Sequence, residues 1–146
     1  MNASRESFGR RADAFGAVVG TLGAAQWSAP SPCAGWSGAD LVDHVIDTER
    51  DFLTGHDIDL GPRPAGDPAA RWAAHRAALL DKVDDTVLER EYDGYFGRTT
   101  VGATLSDVYG FDLVVHRWDL ARAAGAEAAF TDAEMDGLEA SIALFG

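Results

Sequence analysis

His44, Asp112 and His116 have no ordinary place in a helical core, yet each falls on the apolar stripe of a predicted helix. In the first helix the stripe reads Leu41, His44, Val45, Thr48 and Phe52, the i, i+3, i+4, i+7, i+11 spacing of one face. In the second, Leu105, Val108, Tyr109, Asp112, Val115, His116, Leu120 and Ala123 share a face, and Asp112 and His116, four residues apart, project side by side. One turn thus presents a carboxylate and an imidazole together. An ionised carboxylate in a core needs a compensating cation, and a divalent metal satisfies all three groups at once. The expected chemistry is a buried metal site built from one His and an Asp-x-x-x-His pair.

The alternative stays open at this level. A single inward histidine is commonly satisfied by a backbone carbonyl, and Asp112 has Arg71, Arg76 or another arginine as an alternative partner. Periodicity does not show that the two helices meet. Around the three residues, Asp47 lies one turn beyond His44 and Asp119 one turn beyond His116, so either is a candidate to orient a ligand imidazole; Asp119 has Arg122 as a competing partner. Arg117 is the candidate to meet an anionic substrate. His56, in a polar loop, and His75, off the main stripe of its helix, read as surface histidines. Trp27, Trp36, Trp72 and Trp118 read as core and loop anchors. Cys33, near the start of the first ligand-bearing helix, reads as inert packing. No residue is assigned a catalytic role.

Length and composition bound what such a site serves. The chain of 146 residues fits one domain, 1–146, large enough to bury about two thirds of its unfolded surface without disulfides or a structural metal. The metal is therefore not expected to be a folding element. No apolar run is long enough to span a bilayer and no charged-then-apolar leader begins the chain, so a cytoplasmic location and no membrane partner are expected. A single cysteine excludes an internal disulfide and a multi-cysteine zinc motif. The formal net charge of −12 argues against nucleic acid as a partner, because a phosphate backbone needs a basic footprint. Homodimerisation is compatible with these bounds.

The elements that must position the site are helices nearly throughout. Phe8, Ala12, Phe15, Val18, Val19 and Leu22 mark a first helix from about Arg5 to Leu22. The stretch Trp27–Trp36, with Pro30, Pro32 and Gly35, is irregular and delivers the chain to Ser37, whose spacing to Asp40 predicts a capping box for helix two, running to about Thr54. A Gly/Pro-rich loop follows. Asp67 before Pro68 reads as an N-cap with proline at the first helical position of helix three, which carries Trp72, Leu79, Leu80, Val83 and Val87. The stretch 91–101 reads as loop or short extended segment. Thr104 and Asp107 are expected to start the helix bearing Asp112 and His116, which ends near Gly125. Thr131 and Glu134 open a last, short helix. There is no repeat or low-complexity tract, so an antiparallel bundle with one crossover connection is expected.

Two motifs in this layout resemble a known family. The run Pro30-Ser31-Pro32-Cys33-Ala34-Gly35-Trp36-Ser37-Gly38-Ala39-Asp40-Leu41-Val42-Asp43-His44 is similar to the approach to the metal-binding helix in N-terminal domains of mycothiol-dependent maleylpyruvate isomerases, within the wider DinB-like superfamily. The run Asp112-Leu113-Val114-Val115-His116-Arg117-Trp118-Asp119-Leu120-Ala121-Arg122-Ala123-Ala124-Gly125 resembles that family's second metal-binding helix and its exit. With helix three and Phe96-Gly97 between them, the likeness covers nearly the whole chain.

The resemblance implies an all-α, up-down-down-up four-helix bundle, here with a short extra C-terminal helix, holding zinc, nickel or another divalent ion on His44, Asp112 and His116. The characterised isomerase uses glutamate where this chain has Asp112, and it carries an additional C-terminal domain that helps form its active site. Maleylpyruvate isomerisation itself is therefore not expected. Three protein ligands leave an open position on zinc, the arrangement of a catalytic site. A thiol bound there loses its proton, whereas water would give a hydroxide. The likeness favours the thiol: a cytoplasmic transferase is expected, in which a low-molecular-weight thiol such as mycothiol attacks a small electrophilic substrate. A non-catalytic metal-binding or sensing bundle, and a metal-free structural bundle, are the alternatives.

Overall fold

The computed structural model describes residues 3–23, 27–28, 36–95 and 97–123; Cys33, Phe96 and the helix expected after Thr131 lie outside them. Four long helices, α1 (Ala3–Val19), α2 (Gly38–Gly55), α3 (Pro68–Lys82) and α6 (Gly110–Ala123), form the bundle. Between α3 and α6 come a short helix α4 (Asp85–Leu88), strands β1 (Glu91–Gly94) and β2 (Gly97–Thr100), a helical turn α5 (Val101–Thr104) and a π-helical turn (Leu105–Tyr109). α1 packs on α6 and α3, and α2 packs on the same two helices. Phe15, Leu41, Val45, Ile46, Leu53, Leu105, Leu113 and Leu120 meet in a fully buried core between them. No helix among the described residues is long and apolar enough to cross a membrane.

Local chemistry sets the ends of the helices as the sequence predicts in two cases. Ser37 accepts a hydrogen bond from the Asp40 amide while the Asp40 carboxylate accepts from the Ser37 amide, the reciprocal capping box that starts α2. The Asp67 carboxylate accepts from the Ala70 amide, with Pro68 in the first turn of α3.

Elsewhere the structure departs from the reading. α3 stops at Lys82, Val87 belongs to the separate α4, and Leu80 is exposed rather than packed. Residues 91–100 form an antiparallel hairpin, with Tyr92 opposite Thr99 and Gly94 opposite Gly97. Thr104 does not begin the last described helix. Thr100 does so one turn earlier, accepting from the Ala103 amide at 3.0 Å. The Thr104 hydroxyl is bonded instead to the Tyr92 phenol, which ties the hairpin to the helix it feeds.

The π turn changes which face looks inward. The Gly110 amide bonds the carbonyl of Leu105, an i→i+5 reach that accommodates in effect one extra residue in the helix. Ser106, Gly110, Leu113 and Val114 are consequently buried beside the expected Leu105, His116 and Leu120, whereas the expected Val108, Tyr109 and Asp112 stand at the edge of the core. Arg11 on α1 donates to the Ser106 carbonyl at 2.6 Å, holding the widened turn against the first helix. Gly110 makes room for it: a Cβ there would lie 2.7 Å from Arg11 Nη1. In α2 the buried stripe is Leu41, Val42, Val45, Ile46, Glu49 and Leu53, rotated from the expected one so that His44, Thr48 and Phe52 lie on its flank.

Candidate metal centre

α2 and the first turns of α6 bring His44, Asp112 and His116 together at the rim of the bundle. His116 Nε2 lies 3.1 Å from Asp112 Oδ1, and His44 Nε2 lies 3.7 Å from Asp112 Oδ2. One donor atom from each of the three falls within 4.8 Å of the others. Donors bound at roughly 2.0–2.2 Å around one tetrahedral ion stand about 3.4 Å apart, so two nitrogens and a carboxylate oxygen fit such an ion with small side-chain adjustment.

The site is not buried as the helical stripes suggested. The side chains of His44 and Asp112 are 29% and 31% exposed, that of His116 only 11%. The rotated stripe of α2 and the π turn before α6 both move the cluster outward, which leaves one side of it open to solvent. A shallow hollow of about 280 Å³ lined by His44, Thr48, Val108, Tyr109, Phe111 and Asp112 lies on that side. Trp36 stands over the cluster, its ring centroid 4.8 Å from His44 and 6.4 Å from His116. The tryptophan expected to be a loop anchor therefore also walls the site.

The arginines considered for Asp112 are engaged elsewhere. Arg71 pairs with Asp43 at 3.0 Å and Arg76 with Asp13 at 2.9 Å. Asp112 faces two imidazoles instead. In this arrangement burial pulls His116 down, but hydrogen bonds to Asp112 and Asp119 and the charges of both carboxylates outweigh it and raise its pKa above the ordinary range. A proton and a metal ion compete for the same Nε2.

The flanking candidates separate. Asp119 Oδ2 is 3.1 Å from His116 Nδ1, with both side chains nearly buried, so it fixes the ring with Nε2 turned toward Asp112. Asp47, at the equivalent place beyond His44, turns away and binds Arg63 at 2.8 Å, holding the 55–67 loop rather than the imidazole. Arg122 does not compete for Asp119; it lies 5.2 Å over the Trp118 ring. Arg117 is half-buried and engaged within the fold.

A buried pair, Glu49 and His75, departs from the sequence pattern. His75 is fully buried, not on the surface, and its Nε2 lies 2.9 Å from Glu49 Oε1 in the core between α2 and α3. Burial raises the Glu49 carboxyl against the opposing hydrogen bond and charge of His75. The signal was present in the sequence: Glu49 continues the Leu41, Val42, Val45, Ile46 stripe toward Leu53, and His75 lies one turn before Leu79.

The helical bundle is a DinB-like domain. The chain belongs to the mycothiol maleylpyruvate isomerase N-terminal domain family, whose profile matches residues 8–121. Two curated relatives, both uncharacterized proteins of Mycobacterium tuberculosis, one from strain CDC 1551 / Oshkosh and one from strain ATCC 25618 / H37Rv, are each 29% identical over 122 residues. The matched segment covers 80% of this chain and 64% of each relative. No solved structure matches the chain significantly.

Proposed function

We infer that the protein is a divalent-metal-dependent thiol S-transferase acting on a small electrophile. The observation that carries this reading is the convergence of His44, Asp112 and His116 at a rim open to solvent, with Asp119 fixing the His116 ring. Membership of a mycothiol-associated family supports a low-molecular-weight thiol, mycothiol where it is made, as co-substrate.

The donor set fits zinc best, since two imidazoles and one carboxylate with an open position are characteristic of its catalytic sites; nickel is the next candidate. A metal held there would supply Lewis acidity, lowering the pKa of a thiol from about 8.5 so that it is deprotonated at neutral pH. The chain's own residues do the rest. Asp119 keeps His116 Nε2 directed into the cluster. Asp112, facing both imidazoles, sets their spacing. Trp36 walls one side, so a substrate must approach from the hollow beside Val108 and Tyr109. In the transfer a sulfur–carbon bond forms, the bond from that carbon to its leaving group breaks, and the leaving group takes the electron pair while the thiol proton goes to solvent.

The test is metal analysis of protein purified without a metal-affinity column, followed by assay of mycothiol and cysteine with 1-chloro-2,4-dinitrobenzene and iodoacetamide. Consumption above the uncatalysed thiol background should require both metal and thiol, vanish in His116→Ala and persist in Cys33→Ser. Activity that survives His116→Ala, or that disappears in Cys33→Ser with metal still bound, rejects the reading and moves Cys33 to its centre.

A further inference from the structure

Beside the cluster, a larger cleft of about 690 Å³ opens between the C-terminal end of α2, the hairpin and the π turn. Its volume falls in the range of small-molecule sites, about 300–1,000 Å³. Val108 and Tyr109 line both this cleft and the hollow over His44 and Asp112, so the two are neighbours across one shared wall.

The wall is aromatic. Phe52 lies 4.9 Å from Tyr109 and 4.8 Å from His56, and His56 lies 4.3 Å from Tyr92, as ring centroids. The rings are tilted or edge-on to one another, the arrangement their quadrupoles favour, and together they make a continuous apolar surface into which another ring can pack. Three of its polar side chains are committed within the fold. The Tyr92 phenol is bonded to Thr104, and Arg98 pairs with Asp93 at 3.2 Å. A polyol, with hydroxyls all around its ring, would leave most of them without partners there. Of the charged residues lining the cleft, Arg98 is already paired with Asp93 and Asp107 is itself acidic, in a chain whose formal charge is −12. An anionic ligand finds no complement.

We propose that this cleft binds an uncharged, planar unsaturated ring, and that Tyr109 divides the ring's seat from the His44, Asp112 and His116 cluster. That the bound ring belongs to the electrophile rests on the function proposed above; that the cleft takes a neutral planar ring does not.

The experiment is isothermal titration of the full chain, metal-free and zinc-loaded, with four probes: 2-naphthol, its saturated analogue decahydro-2-naphthol, the anion 2-naphthoate, and myo-inositol. 2-Naphthol should bind both forms of the protein, about fivefold or more tighter than each of the others. Phe52→Leu removes one ring of the wall and Thr99→Trp adds bulk at the hairpin, and each should weaken 2-naphthol by a similar factor with zinc affinity unchanged. Two variants on different elements guard against a failure of either to fold. Absence of 2-naphthol binding, equal binding of the saturated analogue, preference for the anion or for myo-inositol, or indifference to both variants overturns the proposal. Zinc-dependent thiol consumption with aliphatic iodoacetamide is read in parallel. If it persists while 2-naphthol does not bind, the cleft proposal alone falls; if 2-naphthol binds without any thiol consumption, the cleft stands and the transferase reading falls.

Discussion

Two aspartates occupy equivalent places, three residues beyond a histidine of the cluster, and the structure gives them opposite roles. Asp119 accepts from His116 Nδ1 at 3.1 Å between side chains only 9% and 11% exposed. Asp47 is tied to Arg63 across an exposed surface. Partners that hold the far nitrogen of a metal-binding histidine are worth about 10- to 100-fold in metal affinity, which corresponds to about 1.4–2.7 kcal/mol. Asp119→Asn keeps an acceptor oxygen and loses the charge, so it should sit near the tenfold end. Asp119→Leu loses both and should approach the hundredfold end. Asp47→Leu should leave affinity unchanged, because a solvent-exposed ion pair of that kind contributes about 0–1 kcal/mol to stability and touches no ligand. The assay is competition for zinc against a fluorescent chelator, with melting temperature read on each metal-free variant, since Asp119 has further contacts in the fold. Wild-type zinc affinity in Asp119→Leu, or an equal loss in Asp47→Leu, would refute the argument that His116 is the oriented ligand.

Four further outcomes follow from the same structure. Chelation should lower the melting temperature by roughly 5 to 10 °C relative to protein saturated with zinc, without loss of the helical circular dichroism signal; collapse of that signal would make the metal a folding element. Gly102→Ala should destabilise by about 1–3 kcal/mol, because a Cβ would sit 2.9 Å from the backbone oxygen of Leu88, which cannot swing away. Gly110→Ala meets the flexible Arg11 side chain, Nη1 at 2.7 Å and Cδ at 3.1 Å, with backbone no nearer than the Leu105 oxygen at 3.5 Å, so its lost hydrogen bond and the helix propensity of alanine should roughly cancel, and a melting curve showing it worse than Gly102→Ala would contradict this. Glu49→Gln tests the buried pair: the raised folded-state pKa of Glu49 means its contribution is present below the unfolded value of about 4.3 and lost as pH rises through the folded value. The stability of Glu49→Gln relative to wild type should therefore climb with pH above about 4.3 and then level off; a falling difference in denaturation titrations would show that the carboxylate is stabilised, not strained, by its surroundings.

What the sequence revealed and what it hid have separate physical causes. The spacing of Asp112 and His116 was legible because both lie in α6, after the π turn, where an uninterrupted i, i+4 relation survives any change upstream. His44 was legible for the same reason, as part of a helix whose capping box is written in Ser37 and Asp40. The depth of the site was not legible, because depth depends on how a whole helix is rotated, and rotation is set by contacts that periodicity does not contain. Leu105, Val108 and Tyr109 extend a regular stripe into Asp112 on paper; one extra residue in the turn, held open by Arg11 and permitted by Gly110, carries Leu113 and Val114 into the core and leaves Asp112 at its edge. In α2 the same limit appears in another form. Periodicity puts His44 at the centre of the stripe and leaves Glu49 out of it, since an acid is ordinarily excluded from a core; the fold buries Glu49 where His75 on α3 meets it, a pairing across elements that neither helix announces alone. The two departures act in the same direction. Each moves a side chain of the candidate cluster from the interior to the rim, and a rim position is what the proposed exchangeable thiol and the proposed substrate in the neighbouring aromatic cleft both require.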